Sequence, residues 1–215
     1  MGVVASHLGV FGKGFLVSLE ISGCTFLLAG LLGLLLAVCR ISPVVPLRLF
    51  GRLYVSAVRS VPLLVLLILF VFGLPEVGLV YSLFWTVVTA MGLYWAAFFS
   101  EAIRSGIRAV PRGQIEAGRA LGLTFGQVLR LIVLPQAVRC IIQPLASLLI
   151  AVTLNSSLAA AVGVTQELTG QTQLLDQQYA QPLFTFGAAA ACYVAFTLAI
   201  GRLAAALERR LVVLR

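Results

Sequence analysis

The sequence predicts an all-α integral membrane protein with five transmembrane helices, N-terminus outside and C-terminus in the cytoplasm. Composition is the first reason: 61% of the 215 residues are hydrophobic, only 10% are charged, and the mean hydropathy is +1.09. The second is length, because a helix needs about 20 mainly apolar residues to cross a hydrocarbon core of roughly 30 Å, and five stretches meet that need. The third is pattern. Leu27–Val38 and Leu63–Phe72 are continuously apolar, whereas a transmembrane barrel strand alternates apolar and polar residues over about ten positions.

The predicted spans cover about 16–39, 54–74, 79–99, 133–154 and 183–206, within a single transmembrane domain over 1–215. The first carries Glu20 near its outer end, where a carboxylate could face a watery vestibule or line a route for substrate. No basic segment precedes this run and it is long for a signal-peptide core, so it is expected to serve as an uncleaved signal anchor. The second span carries Arg59 and Pro62 near its start, and the fourth carries Pro135, Arg139 and Pro144, so these two are expected to be the least regular.

Orientation follows from the basic residues. Arg40, Arg48, Arg52 and Arg59 fall between the first two spans, Arg104, Arg108, Arg112, Arg119, Arg130 and Arg139 around the next alternate loop, and Arg202, Arg209, Arg210 and Arg215 at the end. The opposite loops, 73–78 and 162–182, contain Glu76, Glu167 and Asp176 but no Lys or Arg, so the positive-inside rule turns them away from the cytoplasm. The formal charge of +8 thus reflects membrane topology; the cations bracket apolar spans and form no soluble basic face, which argues against nucleic acid as a partner. Cys24, Cys39, Cys140 and Cys192 fall in or beside spans without CxxC spacing or a nearby His, and are expected to be small buried hydrophobes with no metal. His7, in a short leading tail without a second ligand, is expected to be solvated. Met1-Gly2-Val3-Val4-Ala5-Ser6 matches a myristoylation pattern, which five spans and an outside terminus make redundant.

The longest cytoplasmic connection, 110–131, is the most informative. Pro111 suits the start of a helix, 112–121 can form a short one, and Gly122 suits the left-handed residue that ends it. Thr124 and Gln127 have capping-box spacing for a second helix that enters the membrane at Pro135. Ile115, Gly118 and Leu121 recur on one face of the first helix, and the small residues Ala117, Gly118 and Ala120 permit a close approach by a partner's backbone. An interfacial hairpin with arginines among lipid headgroups is the alternative reading.

Glu116-Ala117-Gly118, then three residues, Gly122, nine residues, and Ile132-Val133-Leu134-Pro135 resemble the EAA motif of permease subunits of bacterial ATP-binding-cassette importers. Val110-Pro111-Arg112-Gly113-Gln114, Leu134-Pro135-Gln136-Ala137, Arg59-x-x-Pro62-Leu63-Leu64, Phe72-Gly73-Leu74-Pro75 and Glu208-Arg209-Arg210 extend the resemblance, specifically to the polar amino acid branch, over nearly the whole chain. The one departure within the motif is Gly118, where the family usually has a second Ala. The resemblance implies a multi-pass protein of the bacterial cytoplasmic (inner) membrane, with 112–121 as a coupling helix seated in a cleft of a cytoplasmic ATPase dimer. Gln114, Glu116, Ala117, Gly118, Ala120, Leu121 and Gly122 are then the contact and turn residues.

This chain has no phosphate-binding loop of its own: Gly12-Lys13 lacks the earlier Gly, and Gly14 stands where a magnesium-binding Ser or Thr is needed. ATP and magnesium are therefore expected on the partner ATPase, and the chain is expected to be a non-catalytic transport subunit. The resemblance further implies a second permease subunit, identical or similar, and an extracytoplasmic amino-acid-binding protein.

In the fourth span Asn155, Ser156 and Ser157 follow Thr153 amid Leu and Ala. They suit either a substrate pathway or packing and capping at a helix end. Relatives often carry Lys-Asp-Thr-Ser where this chain has Leu154-Asn155-Ser156-Ser157, a variant that points toward an acidic or amide substrate. The polar segment 165–181 either receives the binding protein or connects helices. A secondary transporter should show ionisable residues near the midplane or an inverted repeat with broken helices, and a non-transporting scaffold should be indifferent to Glu116 and Gly122; the importer reading accounts for the motif's complete spacing.

Overall fold

The structure, a computed structural model, describes residues 2–212, with side chains through Arg209; Met1, the first residue of the acylation pattern, Arg215 and the side chain of Arg210 lie outside that description. The described residues form α1 (Gly2–Ser6), α2 (Leu8–Ile41), α3 (Val45–Arg59), α4 (Leu63–Glu76), α5 (Leu83–Arg108), α6 (Arg112–Ala120), α7 (Phe125–Val162), α8 (Leu168–Tyr179) and α9 (Pro182–Val212). Four of them, α2, α5, α7 and α9, are each long and apolar enough to cross a membrane, and α3 with α4 makes a fifth candidate. The all-helical class agrees with the sequence, and four or five candidate spans stand against the five expected, according to whether the bent pair α3–α4 counts as one.

The second span differs from expectation. In place of one helix over 54–74, α3 and α4 meet at an angle of 100° across Ser60-Val61-Pro62. Pro62 lacks a backbone N–H and pushes the residue before it out of helical geometry, while Arg59 reaches sideways to Glu101, 3.8 Å away. The other spans are longer than predicted. The first begins at Leu8, with His7 as its N-cap behind the short helix α1, so the described residues ahead of it form no free tail. The fourth begins at Phe125 and continues through Pro144.

Both Leu-Pro pairs follow a widened turn. Leu69–Gly73 and Leu129–Val133 are π-helical, immediately ahead of Leu74-Pro75 and Leu134-Pro135. A proline cannot donate to the carbonyl four residues back and its ring crowds that carbonyl, so the preceding turn opens.

The core is built on α2 and α5, which run in the same direction: Leu28 touches Gly92, Gly33 faces Ala96 and Phe99, and Arg40 meets Ser100 and Glu101. Gly33 makes this possible. A Cβ there would meet the Ala96 carbonyl at 3.0 Å and the Ser100 nitrogen at 3.1 Å, besides the Phe99 side chain. Small residues permit such close approach of membrane helices. α7 runs opposite to α5, with Gly106 against Ile141 and Leu83 against Gly163. Ile21, Leu67, Val87, Met91 and Val152 lie buried where α2, α4, α5 and α7 meet.

At one end of the bundle α8 caps the structure. Its N-cap Glu167, expected as part of a polar loop, is fully buried. It accepts from the Gly170 N–H at 2.6 Å, from Ser18 Oγ at 3.2 Å and from the Tyr193 hydroxyl at 3.4 Å, tying α8 to α2 and α9. Burial raises its pKa above the ordinary carboxylate range, against the opposing pull of those donors and the Thr169 N–H.

Candidate functional site: a protruding helix on a membrane stem

The end of the bundle opposite α8 carries α6, joined to α5 through Ala109-Val110-Pro111 and to α7 through a tight reversal. Gly122 makes that reversal at φ +80°, donating to the Arg119 carbonyl at 2.9 Å, while Leu123 N–H reaches the Gly118 carbonyl at 3.1 Å. The next helix starts with the predicted capping box: Thr124 N–H donates to Gln127 Oε1 at 2.8 Å, and Gln127 N–H to Thr124 Oγ1 at 3.4 Å.

α6 is fastened to α7 along one face. Gly118 is buried, and a Cβ there would run into Ile132 Cδ1 with Val128 and Leu123 close behind. The glycine that departs from the family's alanine is therefore matched to the isoleucine that fills its place. It faces the protein's own stem, in contrast to the partner-facing role expected for it. Ile115 packs with Val110, Val128 and Val133 in the same small cluster. Gln136, three residues beyond the widened turn, donates through Nε2 to Gln114 Oε1 at 2.5 Å and to the Ile132 carbonyl at 2.9 Å. Both π-turn and helix end are thus held by one side chain.

The opposite face is open. Glu116, Ala117, Arg119 and Ala120 are exposed, and so are Leu121 at 82% and Phe125 at 71%. Leu121 does not share the inward face with Ile115 and Gly118, as the period-3 spacing suggested, because the helix ends at Ala120 and the turn swings it out. Phe125 escaped the sequence reading; its signal was a large aromatic directly after an N-cap Thr, in the turn that also carries Leu121 outward.

The other candidates lie apart from this helix. Asn155 Nδ2 donates to the Ala151 carbonyl at 2.8 Å, Ser156 Oγ to Thr153 at 2.7 Å and Ser157 Oγ to Leu154 at 2.7 Å. Each bond stays on its own helix, at the point where α7 tightens into 3-10 geometry over Ser156–Val162. Ser156 is buried and Asn155 half-buried, while Glu20 is exposed on α2. His7 is held, not free, with Nδ1 2.9 Å from the Val3 carbonyl and Nε2 3.4 Å from the Tyr179 hydroxyl. The cysteines are half-buried, except Cys140, which is exposed, so none is the buried hydrophobe expected.

Sequence reasoning also passed over Glu101, the only acidic residue of α5. It accepts from Arg40 Nη2 at 2.7 Å and Arg104 Nη2 at 3.0 Å, with Arg59 at 3.8 Å, and Arg59 also stacks 5.2 Å over the Phe98 ring. One carboxylate thereby joins α2, α3 and α5 at the α6 end. Its signal was a lone acid flanked by apolar residues with an arginine three positions on.

A helix bundle of this length and apolarity, with a short helix fixed outside it on a rigid stem, defines an integral membrane subunit of the permease class. Residues 29–213 match the family model described as "Binding-protein-dependent transport system inner membrane component". The chain belongs to that family. It is 36% identical over 162 residues to the "Probable glutamine ABC transporter permease protein GlnM" of Bacillus subtilis (strain 168), covering 75% of each chain. It is 32% identical to that organism's "Arginine transport system permease protein ArtQ", over 93% of this chain and 91% of the relative. Among solved structures, "Crystal structure of an amino acid ABC transporter with histidines" superposes with a TM-score of 0.92 at 29% identity, covering 96% of both chains. A structure of the MetNI methionine transporter shares the fold at a TM-score of 0.75 and 22% identity, over 96% of this chain and 98% of that one. The chain is an inner-membrane permease subunit of an amino-acid ABC importer.

Proposed function

We propose that this subunit converts the nucleotide state of a separate ATPase into alternating access for polar amino acids, with α6 as the coupling helix. The observation that carries this reading is the two-sidedness of α6. One face is locked to α7 through Gly118 and Gln136, and the other offers Glu116, Ala117, Ala120, Leu121 and Phe125 to a partner. A helix that docks on one side and cannot slip on the other transmits displacement as a rigid body.

ATP and magnesium bind the partner ATPase dimer in this reading. Closure of its two subunits moves the coupling helices, a pair of permease chains opens outward, and hydrolysis resets them. The second permease is either a copy of this chain or a similar one. The α6 end faces the cytoplasm, which the gathering of Arg40, Arg59, Arg104, Arg112 and Arg119 at that end supports through the positive-inside rule. α8 then faces outward, toward the expected amino-acid-binding protein. The substrate is of glutamine or arginine type by likeness to named relatives, and Asn155-Ser156-Ser157 favours an acidic or amide side chain.

The test is ATP hydrolysis by the assembled transporter in lipid discs, with and without amino-acid-loaded binding protein. Wild type should be stimulated. Glu116→Lys, on the exposed face of α6, should insert normally but lose ATPase association or stimulation. Stimulation equal to wild type in that variant overturns the coupling role of α6.

A further inference from the structure

α3 is unlike the other long helices. Its length, 15 residues, is short of a span, and its surface divides into three strips. Gly51 and Val55 are buried against the bundle, with Gly51 touching the Arg40 side chain and Tyr54 donating to the Leu93 carbonyl at 2.9 Å. At 100° per residue, Arg48, Arg52 and Arg59 lie within about 40° of one another around the axis. Leu49, Phe50 and Leu53 form a third strip, each more than half exposed.

The 100° elbow sets how this helix lies. α4 packs along α5 toward the α8 end, so α3 runs across the bundle at the level of Leu36–Arg40 and Phe98–Glu101. α4 is about 21 Å long at 1.5 Å per residue, some 9 Å less than the hydrocarbon core. Its inner end therefore stops short of the far boundary by the depth, about 5–10 Å, at which an in-plane amphipathic helix rests. Charge completes the description. Arg40, Arg59 and Arg104 share the Glu101 carboxylate, and Arg48 and Arg52 stand on the same strip of α3 as Arg59, outside that cluster. The Arg40 side chain is only 8% exposed, and its Nε and that of Arg104 are buried without a hydrogen-bond partner.

We propose that α3 is an in-plane membrane helix that binds the headgroup of an anionic phospholipid through Arg48 and Arg52, with Leu49, Phe50 and Leu53 among the acyl chains. A leaflet boundary supplies an anionic layer beside an apolar one, in the order in which the two strips stand. A protein partner over the same face would have to bury Arg52 with three large apolar side chains and bring its own carboxylate. The proposal goes beyond the coupling role of α6; the orientation given above decides only which leaflet is meant.

The experiment titrates phosphatidylglycerol and phosphatidylcholine of identical chains onto the detergent-solubilised transporter and reads bound lipid by native mass spectrometry. Wild type should bind phosphatidylglycerol at least about tenfold more tightly. Arg48→Gln/Arg52→Gln should weaken that binding about thirtyfold, from ~1 kcal/mol per cation at ~1.4 kcal/mol per factor of ten. Arg52→Gln alone, at an exposed position that folding does not need, should weaken it about fivefold, and Arg52→Lys should retain it. Equal binding of the two lipids, or unchanged phosphatidylglycerol affinity in the glutamine variants, overturns the proposal. So does a cross-linker on Leu53→Cys that captures a second permease chain in place of lipid. None of these outcomes depends on ATPase coupling.

Discussion

Replacing Gly122 by alanine tests the turn that presents α6. The residue sits at φ +80°, and a Cβ there would have no atom within 4 Å, so the substitution creates no clash with neighbours. Its whole cost is backbone strain, about 1–2 kcal/mol for a non-glycine residue in the left-handed region, which lowers the population of the intact turn about five- to thirtyfold. Gly126 supplies the control: it lies in helical geometry, also with open space at its Cβ, and alanine there should cost nothing. Hydrogen exchange read across 112–128 should therefore speed up by that factor in Gly122→Ala and not in Gly126→Ala. Gly122→Asn should recover part of the loss, because asparagine tolerates this conformation better. Equal exchange in the two alanine variants refutes the argument that backbone conformation, and not contact, fixes the turn. Gly122→Val adds a β-branch to the same strain, and affinity for the ATPase should fall further while membrane insertion is unchanged.

Glu101 and Glu167 each carry a further prediction. Glu101→Gln leaves Arg40 buried without its counter-charge and should cost about 2–3 kcal/mol, below the ~3–5 kcal/mol of a fully buried pair because Glu101 remains 30% exposed; an unchanged melting temperature in detergent would dismiss its role as a brace. Glu167 is held in the fold with a raised pKa, so the native state keeps its proton where the unfolded chain has lost it. Stability from this site is complete below the ordinary glutamate range and declines as pH rises through the raised value. Glu167→Gln keeps an acceptor for Gly170, and its thermal melts should flatten in that window; an unaltered pH profile refutes the assignment.

The sequence revealed what repeats along one chain and hid what depends on two segments meeting. Spans are visible because the bilayer imposes a length, and the α6 turn because Gly122 and the Thr124–Gln127 box act within a few residues. Pro62 is visible in the sequence as a source of irregularity, but the 100° elbow also brings Arg59 to within 3.8 Å of Glu101, 42 positions later in the chain, a meeting no local pattern encodes. Glu167 looked like a loop residue for the same reason: its burial depends on Ser18, at a sequence separation of 149. Gly118 turns inward against Ile132, and only the folded chain brings the two together.

The widened turn at Leu129–Val133 gives chain length a mechanical meaning. Each residue of an α-helix advances the azimuth by about 100°, and each residue of a turn bonded i→i+5 by less, so the widened turn absorbs one extra residue; deleting one here would restore regular winding and leave the azimuth of the membrane part of α7 relative to α6 nearly unchanged. A deletion in the regular winding just beyond it has no such slack, and Gln136 would leave Gln114. The stretch thus acts as a slack link in a shaft, and in related chains one residue fewer before Leu-Pro should go with a regular turn and an intact Gln114–Gln136 pairing.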